Sequence, residues 1–157
     1  MRSMLEQSRG EAISLDDEIK YLNDYLSLER MGREDKFDFE IVKSEGVENI
    51  KIPTMLVQPF IENAIVHGMK GLERKGMIKV NFKNDNDKLI CEIDDNGVGR
   101  QGDKGNTDHR SIGMQVVKDR LKNYSKFKNY EHLEVLDKKN SDKTNAGTKV
   151  IINLPKL

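Results

Sequence analysis

Three short stretches hold residues whose types and spacing can do chemistry. The first is QPFIENAIVHG, residues 58–68. It reads as a largely apolar helix, yet it carries Asn63 and His67 one turn apart, beside Glu62. Buried amides and imidazoles are costly unless something satisfies them. Either a neighbouring loop does so or a ligand does. The second is DDNGVGR, residues 94–100, which puts Asp95 where a strand ends and a loop begins. A carboxylate there can accept a hydrogen bond from an exocyclic amine, a charge-assisted bond of roughly 1.5–3 kcal/mol. Gly97 and Gly99 would let backbone approach a ligand closely. Asp-Asn-Gly is equally good chemistry for a plain turn. The third is SIGMQVV, residues 111–117, with Gly113 at a helix start. Free N–H groups and the helix dipole favour phosphate at such a place. The preceding loop holds Arg100, Lys104 and Arg110, with Gly102 and Gly105 between them. That composition suits a partly basic lid over a nucleotide, or an ordinary solvated loop. No G-x-x-x-x-G-K-[ST] phosphate loop occurs.

These residues need elements to hold them. On a wheel of about 100° per residue, Leu56, Val57, Phe60, Ile61, Ala64 and Ile65 form one apolar face. Asn63 and His67 share one margin of that face, and Gln58 and Glu62 share the other. Pro53 is expected to open this helix. Earlier, SLDDEIKYLNDYLSLERM reads as a helix capped by Ser14, with Asp16, Asp17 and Glu18 in its positive first turn. Leu15, Ile19, Leu22 and Leu26 give it one apolar stripe, to pack on its own domain or on a dimer partner. Phe37, Phe39 and Ile41 alternate as in a half-buried strand. NIKIP offers a short extended piece. MIKVNFKND and KLICEIDD alternate likewise around the turn DNDK, which predicts a hairpin. SIGMQVVKDRLKNYSKF is a helix with Met114, Val117 and Leu121 on one face. HLEVLDKK and GTKVIINLP are two more strands around a polar turn. The expected architecture is a two-layer α/β sandwich, with helices on one face of a mixed, largely antiparallel sheet.

Bulk composition bounds the function. A chain of 157 residues suits one domain with a short appendage. Lys+Arg and Asp+Glu balance at 27 each, so no global field favours nucleic acid or an acidic membrane. The single Cys91 excludes an internal disulfide framework and a cysteine-based zinc site. No apolar run approaches the roughly 20 residues of a membrane span, and no signal peptide is evident. A reducing cytoplasm is the expectation, with any membrane anchor elsewhere in a longer parent chain.

Taken together, the stretches are more specific than any one. ENAIVHG, DNGVG, SIGMQVVKDRL and AGTKVIINLP, in that order, resemble the boxes of the GHKL ATP-binding fold. That superfamily includes sensor histidine kinases, gyrase-type topoisomerases, MutL-type repair proteins and the ninety-kilodalton heat-shock chaperones. Within it, KIPTMLVQPFIENAIVHG is similar to the LytS/YehU-type sensor histidine kinases, which usually carry IP, QP and ENA-hydrophobic-x-HG. The upstream ISLDDEIKYLNDYLSLER resembles their linker from the dimerisation helices. The resemblance runs from about Ser8 to Pro155.

The resemblance implies a Bergerat-type fold, ATP and magnesium as ligands, and a division into a linker remnant at 1–34 and a catalytic domain at 35–157. It implies that Asn63 helps hold the magnesium that bridges the ATP phosphates, with His67 near the phosphates. Magnesium prefers oxygen ligands and keeps several waters, which suits one amide oxygen plus phosphates. Asp95 would recognise the adenine amino group, partly through water. Gly97 and Gly99 would shape the adenine pocket, and Thr148 would lie near the adenine. Gly113 and the lid residue Arg110 would lie near the phosphates. The implied activity is transfer of the ATP γ-phosphate to a histidine on an upstream dimerisation helix, in a homodimeric and membrane-anchored parent that serves a response regulator. A regulatory module that binds ATP without transferring it is the alternative, and a serine-phosphorylating switch kinase is a third reading. Two departures stand out. The last glycine box usually begins with Gly, and Ser111 occupies that position here. Hydrolysing members carry a Glu one turn before the Asn, and here that position is Pro59. Glu62 points about 100° away from Asn63. Rapid hydrolysis is therefore not expected. Nor is self-phosphorylation, because His67, His109 and His132 all lie away from any dimerisation helix.

Overall fold

The alternating segments assemble into one sheet. The computed structural model describes residues 12–99, 115, 117–119, 121 and 133–155. In chain order the elements are β1 (Ala12–Ser14), α1 (Leu15–Gly32), β2 (Phe37–Lys43), β3 (Lys51–Pro53) and α2 (Gln58–Asn63). The last of these runs on into a π-helical turn, Ala64–Gly68. Then come β4 (Gly76–Asp85), β5 (Lys88–Asp95), β6 (Leu133–Lys139) and β7 (Asn145–Pro155). Five strands form a mixed sheet in the order β2-β4-β5-β7-β6. Among the described residues, only the β2–β4 pairing is parallel. The β4–β5 hairpin forms as the alternation predicts, with Asn86 left-handed in its turn at φ 48°.

Register explains the core. Ile41, Val80, Ile93, Val150 and Val135 pair in one row across all five strands. Because side chains alternate between faces, rows two residues apart share a face. Ile78, Val80 and Phe82, then Leu89, Cys91 and Ile93, and then Val150, Ile152 and Leu154 are accordingly all buried on one side. The helices cover that side. Leu56, Val57, Phe60, Ile61, Ala64 and Ile65 join the same cluster. The opposite face is polar: Glu92 takes ion pairs from Lys83 at 2.9 Å and Lys149 at 3.9 Å. The result is the two-layer sandwich expected from the alternation.

Helix α1 packs against this same core. Its Leu15, Leu22 and Leu26 are fully buried, each contributing roughly 1.5–3 kcal/mol of hydrophobic stabilisation. Ser14 caps it, accepting from the Asp17 N–H at 3.2 Å. Ion pairs fasten it to β2, Lys43 to Asp16 at 2.7 Å and Arg30 to Asp38 at 2.8 Å. Arg30 also lies over the Phe39 ring at 5.1 Å. Glu18 lies in the acidic first turn as expected, and packing buries it beside Leu15 and Leu22 on the stripe. The residues ahead of α1 form β1, which pairs antiparallel with β3 and so ties the entry of the chain to the segment leading into α2.

Pro53 corrects one expectation. It does not open α2; it ends β3 opposite Ala12, where a strand terminus tolerates the missing N–H. A turn with Met55 at φ 58° follows, and Pro59 takes the first helical turn instead. Among the described residues no helix is long and apolar enough to cross a membrane.

Candidate functional site

Asp95 is the centre of the candidate site. Strand β5 buries every second residue, and the period carries Asp95 onto the core face as the last of that series. It is only 6% exposed. Its register partners are Ile78 on β4 and Thr148 on β7. Burial pushes its carboxyl above the usual carboxylate range. The backbone N–H groups of Gly97 and Thr148, and the Lys138 ammonium, act the other way and favour the charged form. The Gly97 N–H donates to Asp95 Oδ1 at 2.9 Å. This is a desolvated carboxylate with a prepared acceptor oxygen, suited to a neutral N–H donor such as an amine.

Backbone surrounds it on three sides. Gly68, the last residue of the π-turn, lies so near that a Cβ there would come within 3.2 Å of Asp95 Oδ1. At Gly97 a Cβ would overlap the Gly68 carbonyl, and at Gly147 it would overlap the Asp95 carbonyl. Gly147 also has a φ of 115°, a conformation natural only to glycine. The turn after Asp95 is held by its own contacts. Asn96 Oδ1 accepts from the Met77 N–H at 2.7 Å, its N–H returns to the Met77 carbonyl at 3.2 Å, and Arg74 donates to its carbonyl. Val98 donates to the Gly68 carbonyl at 2.8 Å. Gly99 follows, buried and left-handed at φ 78°.

The π-turn sets the approach from the helix side. Met69 N–H bonds to the Ala64 carbonyl at 3.0 Å, five residues back. Such widened turns recur at functional sites. Asn63 and His67 are half-buried, at the margin the wheel assigns them, on the element whose end packs against Asp95. At the other margin Gln58 is buried and donates to Glu62 Oε1 at 3.2 Å. Glu62 itself is exposed, turned away from the Asn63 margin.

Of the residues singled out in the sequence, Asp95, Gly97 and Thr148 are brought together around one carboxylate. Asn63, His67 and Gly99 lie on the two segments that join at Gly68. Arg110 and Gly113, the rest of the lid from Arg100, and His109 and His132 lie outside the described residues; Val117 and Leu121 are buried in helical backbone, on the face expected of them. Gly68, Gly147, Asn96 and Lys138 were not singled out. Gly68 could have been found, because HG closes the helix box. Gly147 could not, since its role depends on a strand distant in sequence.

Among the described residues no group of three or more His, Cys, Asp or Glu side chains converges as a metal site. A dedicated protein cage for a cation is thus absent from them. One amide oxygen, such as that of Asn63, suits a cation that takes most of its ligands from water and a bound anion.

Comparison with known proteins bears on the family and the fold. No protein-family model matches the chain. It is 32% identical to the sensor protein LytS of Staphylococcus haemolyticus over 103 residues, 66% of this chain and 18% of that protein. It is 30% identical to the sensor histidine kinase BtsS of Escherichia coli over 113 residues, 72% of this chain and 20% of that one. A solved complex of the histidine kinase ThkA with the response regulator protein TrrA superposes with a TM-score of 0.58 at 16% identity, covering 98% of this chain and 45% of that one. The chain thus has the fold of histidine kinase catalytic domains. In sequence it is a homologue of the LytS-type sensor histidine kinases, and it spans about a fifth of the length of the relatives it matches.

Proposed function

We propose that the chain is the ATP-binding catalytic region of a two-component sensor histidine kinase. The observation that supports this most is the buried Asp95, with glycine backbone closing around it and two N–H groups favouring its charge. It would accept from the adenine amino group. Gly97 and Gly99 would shape the adenine pocket, and Thr148 would border it. Asn63 would hold magnesium, which supplies charge neutralisation at the phosphates when bound. His67, Arg110 and Gly113 would approach the phosphates themselves.

Transfer would go to a histidine on an upstream dimerisation helix, joined through residues 1–34 to the catalytic part at 35–157. The parent would be a membrane-anchored homodimer presenting this region to the cytoplasm and passing the phosphoryl group to a response regulator. Pro59 in place of a general base, with Glu62 engaged by Gln58, supports a site that spares ATP from water. In-line transfer then depends on positioning and charge stabilisation.

Calorimetric titration with a non-hydrolysable ATP analogue and magnesium tests the binding. Radiolabelled ATP, with and without an added dimerisation domain, tests the transfer. Acid-labile label on the added domain alone is the expected result. Binding without any transfer would favour a regulatory ATP-binding module, and stoichiometric acid-labile label on this chain alone would place the acceptor within it.

A further inference from the structure

The outer face of the sheet carries a contact that the adenine reading leaves unused. Lys138, on the edge strand β6, donates to the Asp94 carboxylate and, at 3.2 Å, to the main-chain carbonyl of Asp95. We propose that Lys138 is a positioning residue for adenine recognition, tying the end of β5 from behind so that the Asp95 side chain keeps its inward direction. This rests on the reading of Asp95 as the adenine contact.

The register makes the reach possible. Lys138 pairs with Gly147 on β7, and Asp95 pairs with the next β7 residue, Thr148. A side chain at Gly147 would overlap the Asp95 carbonyl, the same oxygen that Lys138 reaches. The ladder between β6 and β7 is also irregular between Lys138 and Lys139, so the lysine sits where regular pairing breaks. Successive strand residues point to opposite faces, so Asp94 lies outside while Asp95 lies inside. Lys138 therefore never touches the proposed ligand; it acts through the backbone and through charge.

The charge argument runs in the same direction. Asp94 sits next to Asp95 and raises its pKa, whereas Lys138 lowers it. The ammonium neutralises the neighbour that would otherwise oppose ionisation of the acceptor. The other groups around Asp95 are the N–H groups of Gly97 and Thr148 and, from the π-turn, Gly68. The ionisable side chain of that turn is His67, which is common to every variant below.

The test is calorimetric titration with a non-hydrolysable ATP analogue and magnesium, from pH 5 to pH 8, on wild type, Lys138→Met, Lys138→Arg and Asp94→Asn. Methionine keeps the stem and removes the charge. Lys138→Met is expected to bind about threefold to tenfold more weakly toward the acid end of this range, with the acid-side loss of affinity moved to higher pH. Lys138→Arg should restore most of the affinity. Asp94→Asn should move the acid-side loss the other way, to lower pH. That sign gives an independent reading should Lys138→Met fail to fold. Equal affinities and equal pH profiles in folded Lys138→Met and wild type would overturn the proposal, as would a shift of Asp94→Asn to higher pH. Failure of the wild type itself to bind adenine nucleotide would instead overturn the assignment of Asp95.

Discussion

The Gly97 backbone lies against the Gly68 carbonyl closely enough that no side chain fits between them, and Val98 donates to that same carbonyl at 2.8 Å. Two stretches 29 positions apart in sequence thus meet backbone to backbone, and the meeting point is the wall beside Asp95. Gly97→Ala is expected to cost about 1–3 kcal/mol of stability through this overlap, and to weaken nucleotide binding as the loop is displaced. Urea unfolding together with calorimetric titration checks it. Unchanged values in both would mean that the loop can move aside without consequence.

Asp95→Asn keeps the shape and removes the charge. Loss of one charge-assisted bond of roughly 1.5–3 kcal/mol predicts a fall of about 10- to 100-fold in affinity for an adenine nucleotide, with the fold intact. Burial raises the Asp95 pKa, so wild-type affinity should decline as the pH falls through that raised value. The mutant should lack that decline. Titrations from pH 5 to pH 8 with circular dichroism as a fold control decide the matter, and equal affinity in a folded mutant would remove Asp95 from the site.

Asn63→Ala should separate metal from nucleotide. If the amide oxygen holds a phosphate-bound cation, its loss weakens magnesium-dependent binding by roughly tenfold or more, equivalent to about 1.4 kcal/mol. Binding in the presence of a chelator should change much less. Paired titrations with magnesium and with chelator give the comparison. An equal loss in both would make Asn63 a purely structural residue.

Glu18 gives the fold a pH dependence of its own. Burial pushes its carboxyl up to about 7, against 4.5 for the free group. Between those values the folded chain holds a proton that the unfolded chain has released, so stability falls as pH rises from about 4.5 to about 7 and then levels off. The total is on the order of 3 kcal/mol, at about 1.4 kcal/mol per pH unit. Glu18→Gln should flatten this slope and be the more stable protein at pH 8. Urea denaturation at pH 5, 6, 7 and 8 measures it, and parallel profiles for the two proteins would contradict the assignment.

How much of this was legible in the chain depends on the range of the interaction. Period 2 marked the strands, because alternation is a local property of extended backbone, and in the structure β5 continues that period through Asp95, on the face of Cys91 and Ile93. Period 3.6 placed Asn63 and His67 on one margin and Leu15, Leu22 and Leu26 on a buried stripe, for the same local reason. Turn chemistry located the end of β5. The ordered boxes then pointed to the ATP-binding fold, and the sheet brings the DNGVG and AGTKVIINLP boxes together at β5 and β7.

Other features depended on partners that no local pattern names. Pro53 has the chemistry of a helix start, yet its pairing opposite Ala12 draws it into β3. Glu18 carries a first-turn charge, yet packing of α1 buries it beside Leu22. Gly147 owes its importance to Asp95, 52 positions earlier, and Lys138 reaches that residue only because β7 is inserted between β5 and β6. Local periodicity sets which way each side chain faces. Strand order and register, settled by burying all the apolar faces at once, decide which backbone closes around the carboxylate and which lysine stands behind it.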